Sequence, residues 1–256
     1  MTERAYRHIR TGLATGHFPS GSQLSENTIS QALGVGRTPV REAFLLLENE
    51  GFIEQVPRYG TFVKKAGRHE RQSLYELREV LEAYAAGKAA EFMSDAAIAN
   101  LGELCEEMHA SVRIVRDNEG KLTEESLSRA AIADMAFHML VLKASGNPLV
   151  IKSVADMHLM GRIWGADRGD PYKMSLGHRA QSWREHVQIY RAIRKRDTAA
   201  ASAAMLAHLR HATVMALENY DQQCRAQGAD AVGYEWPEAV RAAISRFDEM
   251  GPDAIT

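Results

Sequence analysis

Cysteine is scarce, with Cys105 and Cys224 the only two in 256 residues. Two thiols suggest no disulfide framework of the kind that staples small secreted domains, and they fit a reducing cytosol. Long apolar runs are also missing: none approaches the ~18 residues that would cross a bilayer. The first residues carry no signal-peptide pattern, so the expectation is a soluble, cytoplasmic chain with no membrane partner. Neither sign of charge is in large excess. With 31 Lys and Arg against 33 Asp and Glu, the formal charge is -2, which argues against a nonspecific polycation. Strand-like alternation is lacking from residue 73 to 224, and no internal repeat is present. The length is enough for one large or two small domains with a sizeable core.

The informative stretch is Leu24 to Val63, LSENTISQALGVGRTPVREAFLLLENEGFIEQVPRYGTFV. Ser25 is a candidate N-cap, and Ile29, Ala32 and Leu33 form an apolar stripe at helical spacing. Gly34-Val35-Gly36 breaks that helix. Pro39 belongs only in a first turn, so the next helix begins around Gly36 to Thr38. Val40, Phe44 and Leu47 then face inward, Arg37 and Arg41 share one face at the helix entrance, and Glu50-Gly51 ends it. Phe52 to Gln55 and Thr61 to Val63 read as two short strands around a Val56-Pro57-Arg58-Tyr59-Gly60 turn. Helix, turn, helix and hairpin make a winged helix-turn-helix, which sets the start of its second helix in a DNA major groove.

Charge divides unevenly along the chain. Residues 1–65 hold eight Lys and Arg against six Asp and Glu, and the remainder holds 23 against 27. A DNA face must then be a local patch making few phosphate contacts. The polar, aperiodic stretch 66–72 reads as a linker between a domain over 1–65 and a second over 73–224. That second domain reads as consecutive helices. Ser73 and Glu76 suggest a capping box ahead of a Leu77, Val80, Leu81 and Tyr84 stripe. Further helices are expected from Ser94-Asp95, from Thr123 to Ser145-Gly146, from Asn147-Pro148, from Leu176 to Arg196 and from Asp197 onward. The fold class is mainly α, a winged helix-turn-helix with a small β wing followed by an antiparallel all-α bundle. Met135, Met139, Met157 and Met160 fall at core spacing.

Four polar residues stand out against that apolar pattern. Asp134 and His138 are i, i+4 on one helix face. His186 and His208 sit symmetrically about Asp197, each roughly 16 Å of helix from the turn. In an antiparallel pair they reach the same depth. Three imidazoles and a carboxylate at one level suit a divalent transition metal with positions left for water or ligand. On spacing alone, the alternative of isolated core or surface histidines weighs equally.

The N-terminal strings FPSGSQLSE, ALGVGRTPVREAF, LENEGFI and RYGTFV resemble the DNA-binding domain of the GntR family of bacterial transcription regulators. The strings ELREVLEAYAA, DMAFHMLVLKASGNPLV, EHVQIYRAIRKRD and AMLAHLRH resemble the FCD ligand-binding domain of its FadR-type subgroup. The resemblance implies DNA contacts from Arg37, Thr38 and Arg41 and from Gly60 in the wing. Asn27 stands where the family commonly has arginine; it can bond a phosphate or a base but brings no charge. Gly36 likewise replaces a common Ser or Thr. The resemblance also implies a metal, zinc or nickel, on Asp134, His138, His186 and His208, at the floor of a pocket for a small carboxylate. His211, one turn from His208, is the rival fourth ligand. His109, His158 and His178 are expected to be structural or surface histidines.

Arg78 has two readings: an effector contact through a bidentate guanidinium, or a surface i, i+4 pair with Glu82. Arg162 and Trp164 could line a pocket or simply pack. In the tail, 225–256, Pro237 could open a helix with Val240, Ile244 and Phe247 on one face. Together these features lead to the expectation of a homodimeric, metabolite-responsive regulator, a repressor, on a palindromic double-stranded operator. Its rivals are a metal-homeostasis sensor and a metalloenzyme.

Overall fold

The structure, a computed structural model, describes residues 1–117, 124–164 and 175–227. Its elements run α1 (Thr2–Ala14), β1 (Gln23–Leu24), α2 (Glu26–Leu33), α3 (Arg37–Asn49), β2 (Ile53–Val56), β3 (Gly60–Val63), α4 (Arg68–Phe92), α5 (Asp95–Asp117), α6 (Glu124–Ala144), α7 (Pro148–Ile163), α8 (Leu176–Arg194) and α9 (Thr198–Gln227). None of the described helices is long and apolar enough to cross a membrane. The expected tail helix around Pro237 lies outside the described residues.

The local signals in the first domain act as their chemistry dictates. The Ser25 hydroxyl accepts the Thr28 N–H, and Gly34 closes α2 in a left-handed conformation at φ 62°. α3 then starts at Arg37, with Pro39 inside its first turn. Ile9 and Leu13 of α1 pack with Ile29, Val40, Phe44, Leu47, Phe52 and Val63 into one core. The hairpin strands pair Ile53 with Val63 and Val56 with Gly60. A third strand, not foreseen, joins them: β1 pairs with β3 through Gln23 opposite Phe62, giving the order β1-β3-β2. Two residues are too few for a visible alternation, so only the pairing reveals it.

The stretch expected to be a linker is instead the first turn of α4. Glu70 accepts the Gly67 N–H at 3.0 Å, so the helix is capped there and not at Ser73. Arg71 explains why a polar stretch folds. It is buried, its Nε donates to the Ala66 carbonyl, its Nη2 donates to the Trp164 carbonyl, and its guanidinium lies 4.6 Å from the Tyr220 ring centroid. Satisfied hydrogen bonds let a charged side chain occupy an interior that periodicity assigns only to apolar residues.

The inner face of α4 is also rotated from the expected one. Leu77, Val80 and Tyr84 are 50%, 65% and 45% exposed. Buried in their place are Leu74, Tyr75, Arg78, Glu82, Ala85, Ala86, Ala89 and Ala90. The alanines bring α9 close, and Gly87 leaves space that a Cβ would close against Ser202 Oγ at 2.6 Å. Ser202 Oγ in turn donates to the Ala83 carbonyl.

α5 through α9 follow the expected starts. Ser94 accepts the Ala97 N–H, Asn147 accepts those of Leu149 and Val150, and Asp197 accepts that of Ala200. α8 stops at Arg194, because Arg196 adopts φ 58° and turns the chain into α9. α7 touches both domains: Asp156 accepts Arg10 Nη2 of α1 at 2.7 Å, while the next turn faces the bundle interior.

Candidate metal centre and nucleic-acid interface

The antiparallel packing of α8 on α9 brings His186 and His208 together, with ring centroids 4.4 Å apart. α6 supplies His138, whose ring lies 5.4 Å from each of the other two. The three residues are buried, and their ligand atoms all lie within 4.8 Å of one another. Phe137, fully buried, packs edge-on against His186 at 4.9 Å and walls the apolar side.

Each ring is oriented through Nδ1. His138 Nδ1–H donates to Glu82 Oε2 at 2.6 Å, His186 Nδ1–H to the Ser182 carbonyl at 2.9 Å, and His208 Nδ1–H to Glu185 Oε2 at 3.0 Å. Such partners fix the tautomer and leave Nε2 with its lone pair toward the shared space. His186 Nε2 is buried and has no hydrogen-bond partner, an arrangement that costs free energy unless something binds it. Asp134 Oδ1 stands 3.5 Å from that atom. Its side chain is 29% exposed, so the centre opens on the Asp134 side. Burial, then the neighbouring His208, pushes the His186 imidazole down to about 3, against the pull of Asp134. A neutral imidazole is the form that binds a metal. The donor set therefore fits a borderline divalent ion with open coordination positions.

Behind the rings lies a layer that periodicity did not reveal. Burial alone would raise the Glu82 carboxyl, but Arg78, His138 and His158 together hold it well below the usual carboxylate range. Arg78 Nε donates to Glu82 Oε1 at 2.8 Å. The expected i, i+4 pair thus exists, but it is buried behind His138 and not on the surface. His158, expected to be structural or at the surface, lies 3.4 Å from Glu82 Oε1 and 3.2 Å from Arg78 Nη2. It belongs to this buried layer because α7 crosses α4 there. Glu185 likewise serves two rings. For its carboxyl, the raising effect of burial is outweighed by hydrogen bonds from His208, Gln181 and His211.

His211 Nδ1 hydrogen-bonds Glu185 Oε2 at 3.3 Å, the oxygen that also takes His208, and it is not among the three converging rings. His109 stacks on Trp183 at 4.1 Å, and His178 sits beside Ser175 at the start of α8. Arg162 Nη1 reaches Met135 Sδ, and Trp164 is buried against Arg71 and Lys64.

The second surface is the entrance of α3. Arg37, Thr38 and Arg41 are exposed there, and Asn27 is exposed on the adjoining turn of α2. Arg41 Nε and Nη2 each donate to a Glu26 carboxylate oxygen at 3.1 Å, with Arg37 Nη2 3.6 Å from the same carboxylate. Gly60 opens β3 at φ +117°. A Cβ there would stand 2.7 Å from Gln23 Nε2, which donates to the Tyr59 carbonyl at the hairpin tip. The glutamine side chain could shift, but a φ of +117° strains any residue that carries a Cβ, so glycine is favoured here.

Comparison with known proteins places both halves. Residues 1–63 match the model of the bacterial regulatory proteins of the gntR family, and residues 73–211 match the FCD domain. The chain is 30% identical over 193 residues to the Nta operon transcriptional regulator of Aminobacter aminovorans, covering 75% of this chain and 83% of that one. It is 25% identical over 212 residues to the HTH-type transcriptional repressor RspR of Escherichia coli, covering 82% and 86%. The solved structure of E. coli McbR/YncC has the same fold, with a TM-score of 0.65 at 16% identity over 86% of this chain and 98% of that one. Its relatives are regulators and not enzymes, which removes the metalloenzyme reading. The chain belongs to the GntR family of bacterial transcriptional regulators, with an N-terminal helix-turn-helix domain and a C-terminal FCD domain.

Proposed function

We propose that this regulator is a homodimeric, cytoplasmic repressor whose hold on a palindromic operator responds to a small carboxylate. The carboxylate binds at a divalent metal, zinc or nickel, carried by Asp134, His138, His186 and His208. The observation that carries this reading is the convergence of three imidazoles with every Nδ1 engaged and His186 Nε2 buried with no hydrogen-bond partner, 3.5 Å from Asp134 Oδ1. When bound, the metal supplies a Lewis acid for a carboxylate oxygen. The residues hold the ion, and Asp134 marks the open side. Arg78 is in this reading a positioning residue, because its Nε is committed to Glu82 and acts on the centre through His138. The repressor assignment is supported by the name of the E. coli relative.

Dimerisation is supported by the outer face of α4, where Leu77, Val80 and Tyr84 form an exposed seam at i, i+3 and i+7. A two-fold pair places two copies of α3 at half-sites about one DNA turn, or roughly 34–36 Å, apart. On the DNA side, Arg37→Ala or Arg41→Ala is expected to cost roughly 1–3 kcal/mol of specific binding where the side chain reads a base. Both side chains are exposed, so the melting temperature should hold. Operator affinity unchanged in the double variant at fixed salt would remove α3 as the reading helix.

The reading is tested by a thermal-shift screen of small carboxylates on metal-loaded protein, followed by operator titrations with metal alone and with metal plus carboxylate. A change in operator affinity with metal alone would make the metal itself the signal. Coupling of the two sites has a physical route through α7. Asp156 bonds Arg10 of the DNA-binding domain, and His158 two residues later contacts the Arg78 and Glu82 pair. A saturating carboxylate is expected to change operator affinity by roughly 5- to 150-fold. Asp156→Asn should shrink that factor without changing metal content, and an unchanged factor would route the coupling elsewhere.

A further inference from the structure

The Glu26 carboxylate lies in the first turn of α2 between the two arginines that open α3. It takes the side-on edge of the Arg41 guanidinium, Nε and Nη2 at 3.1 Å each, and lies 3.6 Å from Arg37 Nη2. A guanidinium is rigid and planar, so fixing one edge fixes the direction of the other. The end-on pair, Nη1 with the second hydrogen of Nη2, is left pointing away from Glu26. Two parallel N–H groups so aimed match guanine O6 and N7 in the major groove. The Arg41 hydrogen bond, opposed by the smaller effect of burial, holds the Glu26 carboxyl below its ordinary range. The carboxylate is therefore ionised whenever the protein binds DNA near neutral pH.

We propose that Glu26 is a specificity-determining positioning residue. It presents Arg41 end-on to a guanine and, by its negative charge, keeps the arginine pair from gripping phosphates indiscriminately. This inference rests on the reading that α3 enters the major groove. The chemistry has two consequences of opposite sign. Without Glu26 the Arg41 side chain regains its rotamers, so base discrimination falls. The same loss removes a negative charge from the DNA face, so sequence-independent affinity rises. A residue that merely braced the domain would lower both together.

The test uses the full-length chain, with selection from a randomised duplex pool and titration of a mixed-sequence duplex at several salt concentrations. The wild-type chain should select a guanine in each half-site. Glu26→Ala and Glu26→Gln should reduce that guanine preference severalfold and bind the mixed-sequence duplex more tightly. The slope of log affinity against log salt should steepen by about 0.9, the mark of one added phosphate contact. Arg41→Ala should abolish the same guanine preference without that gain. If Arg41→Ala erases the guanine preference while both Glu26 variants keep it, Glu26 does not position the arginine and the inference fails. If Arg41→Ala leaves the selected sequence unchanged, the recognition-helix reading fails instead. Weaker binding to both DNA pools in the Glu26 variants would also overturn the proposal, since it would mark Glu26 as a structural brace.

Discussion

Arg78→Ala is expected to lower the unfolding free energy by about 3–5 kcal/mol, the range for removing one partner of a buried ion pair. The size follows from burial: the side chains of Arg78 and Glu82 are 6% and 1% exposed, so the stranded carboxylate cannot turn to water. His158 and His138 still face the same carboxylate and offset part of the loss. Urea unfolding of the metal-free chain measures the effect without a contribution from the ion. A surface pair at these positions would give at most a few tenths of a kcal/mol. A loss below that level would return the pair to the surface. Adding Glu82→Gln to Arg78→Ala should restore much of the stability, because the unpaired charge is gone. It should not restore metal affinity, since the His138 ring has still lost its carboxylate partner, a change that typically costs about 10–100-fold. Recovery of both in the double variant would mean that Glu82 orients nothing.

Loss of the metal centre is the second large effect. His186→Ala and His138→Ala should abolish near-stoichiometric binding of one divalent ion per chain, and His211→Ala should retain it. Elemental analysis of purified protein separates these outcomes. Retention in His186→Ala with loss in His211→Ala would overturn the ligand set. Held by Asp134 and His138 of α6, His186 of α8 and His208 of α9, the ion would bind only where those helices are assembled. Ligand at about 1,000 times its dissociation constant adds about 4 kcal/mol to the folded state. Chelation of the wild-type chain should accordingly lower its melting temperature, and the same chelator should leave that of His186→Ala unmoved. Equal shifts in both would place the stabilising ion at another site.

Much of the candidate site was legible because helical periodicity converts sequence distance into depth. Asp197 caps α9, and His186 and His208 lie equally far from it, so their convergence follows from one antiparallel turn. The i, i+4 step from Asp134 to His138 follows from the helix in the same way. The layer behind them was not legible. Glu82, Glu185 and His158 have no common spacing: His158 reaches Glu82 only because α7 packs on α4, and Glu185 reaches His208 only because α8 packs on α9. The face of α4 misled for the same reason. Its apolar residues suggested an inner stripe, but the interior there needs Arg78 and Glu82 to orient a histidine, so the apolar seam faces out.

By itself the sequence determined what acts within a turn or two of chain. That covers the α2 and α3 boundaries through Ser25, Gly34 and Pro39, the hairpin with its glycine at Gly60, and the starts of α5, α7 and α9 at their caps. These outcomes depend on local hydrogen bonds and on φ preferences that each residue carries with it. The tertiary structure decided which polar residues become buried. Arg71 turns a charged stretch into the start of α4, Arg78 and Glu82 move inside, and His158 joins the centre while His211 stays behind Glu185. A buried charge is tolerable only when partners from other elements satisfy it, and no local pattern records where those partners will be.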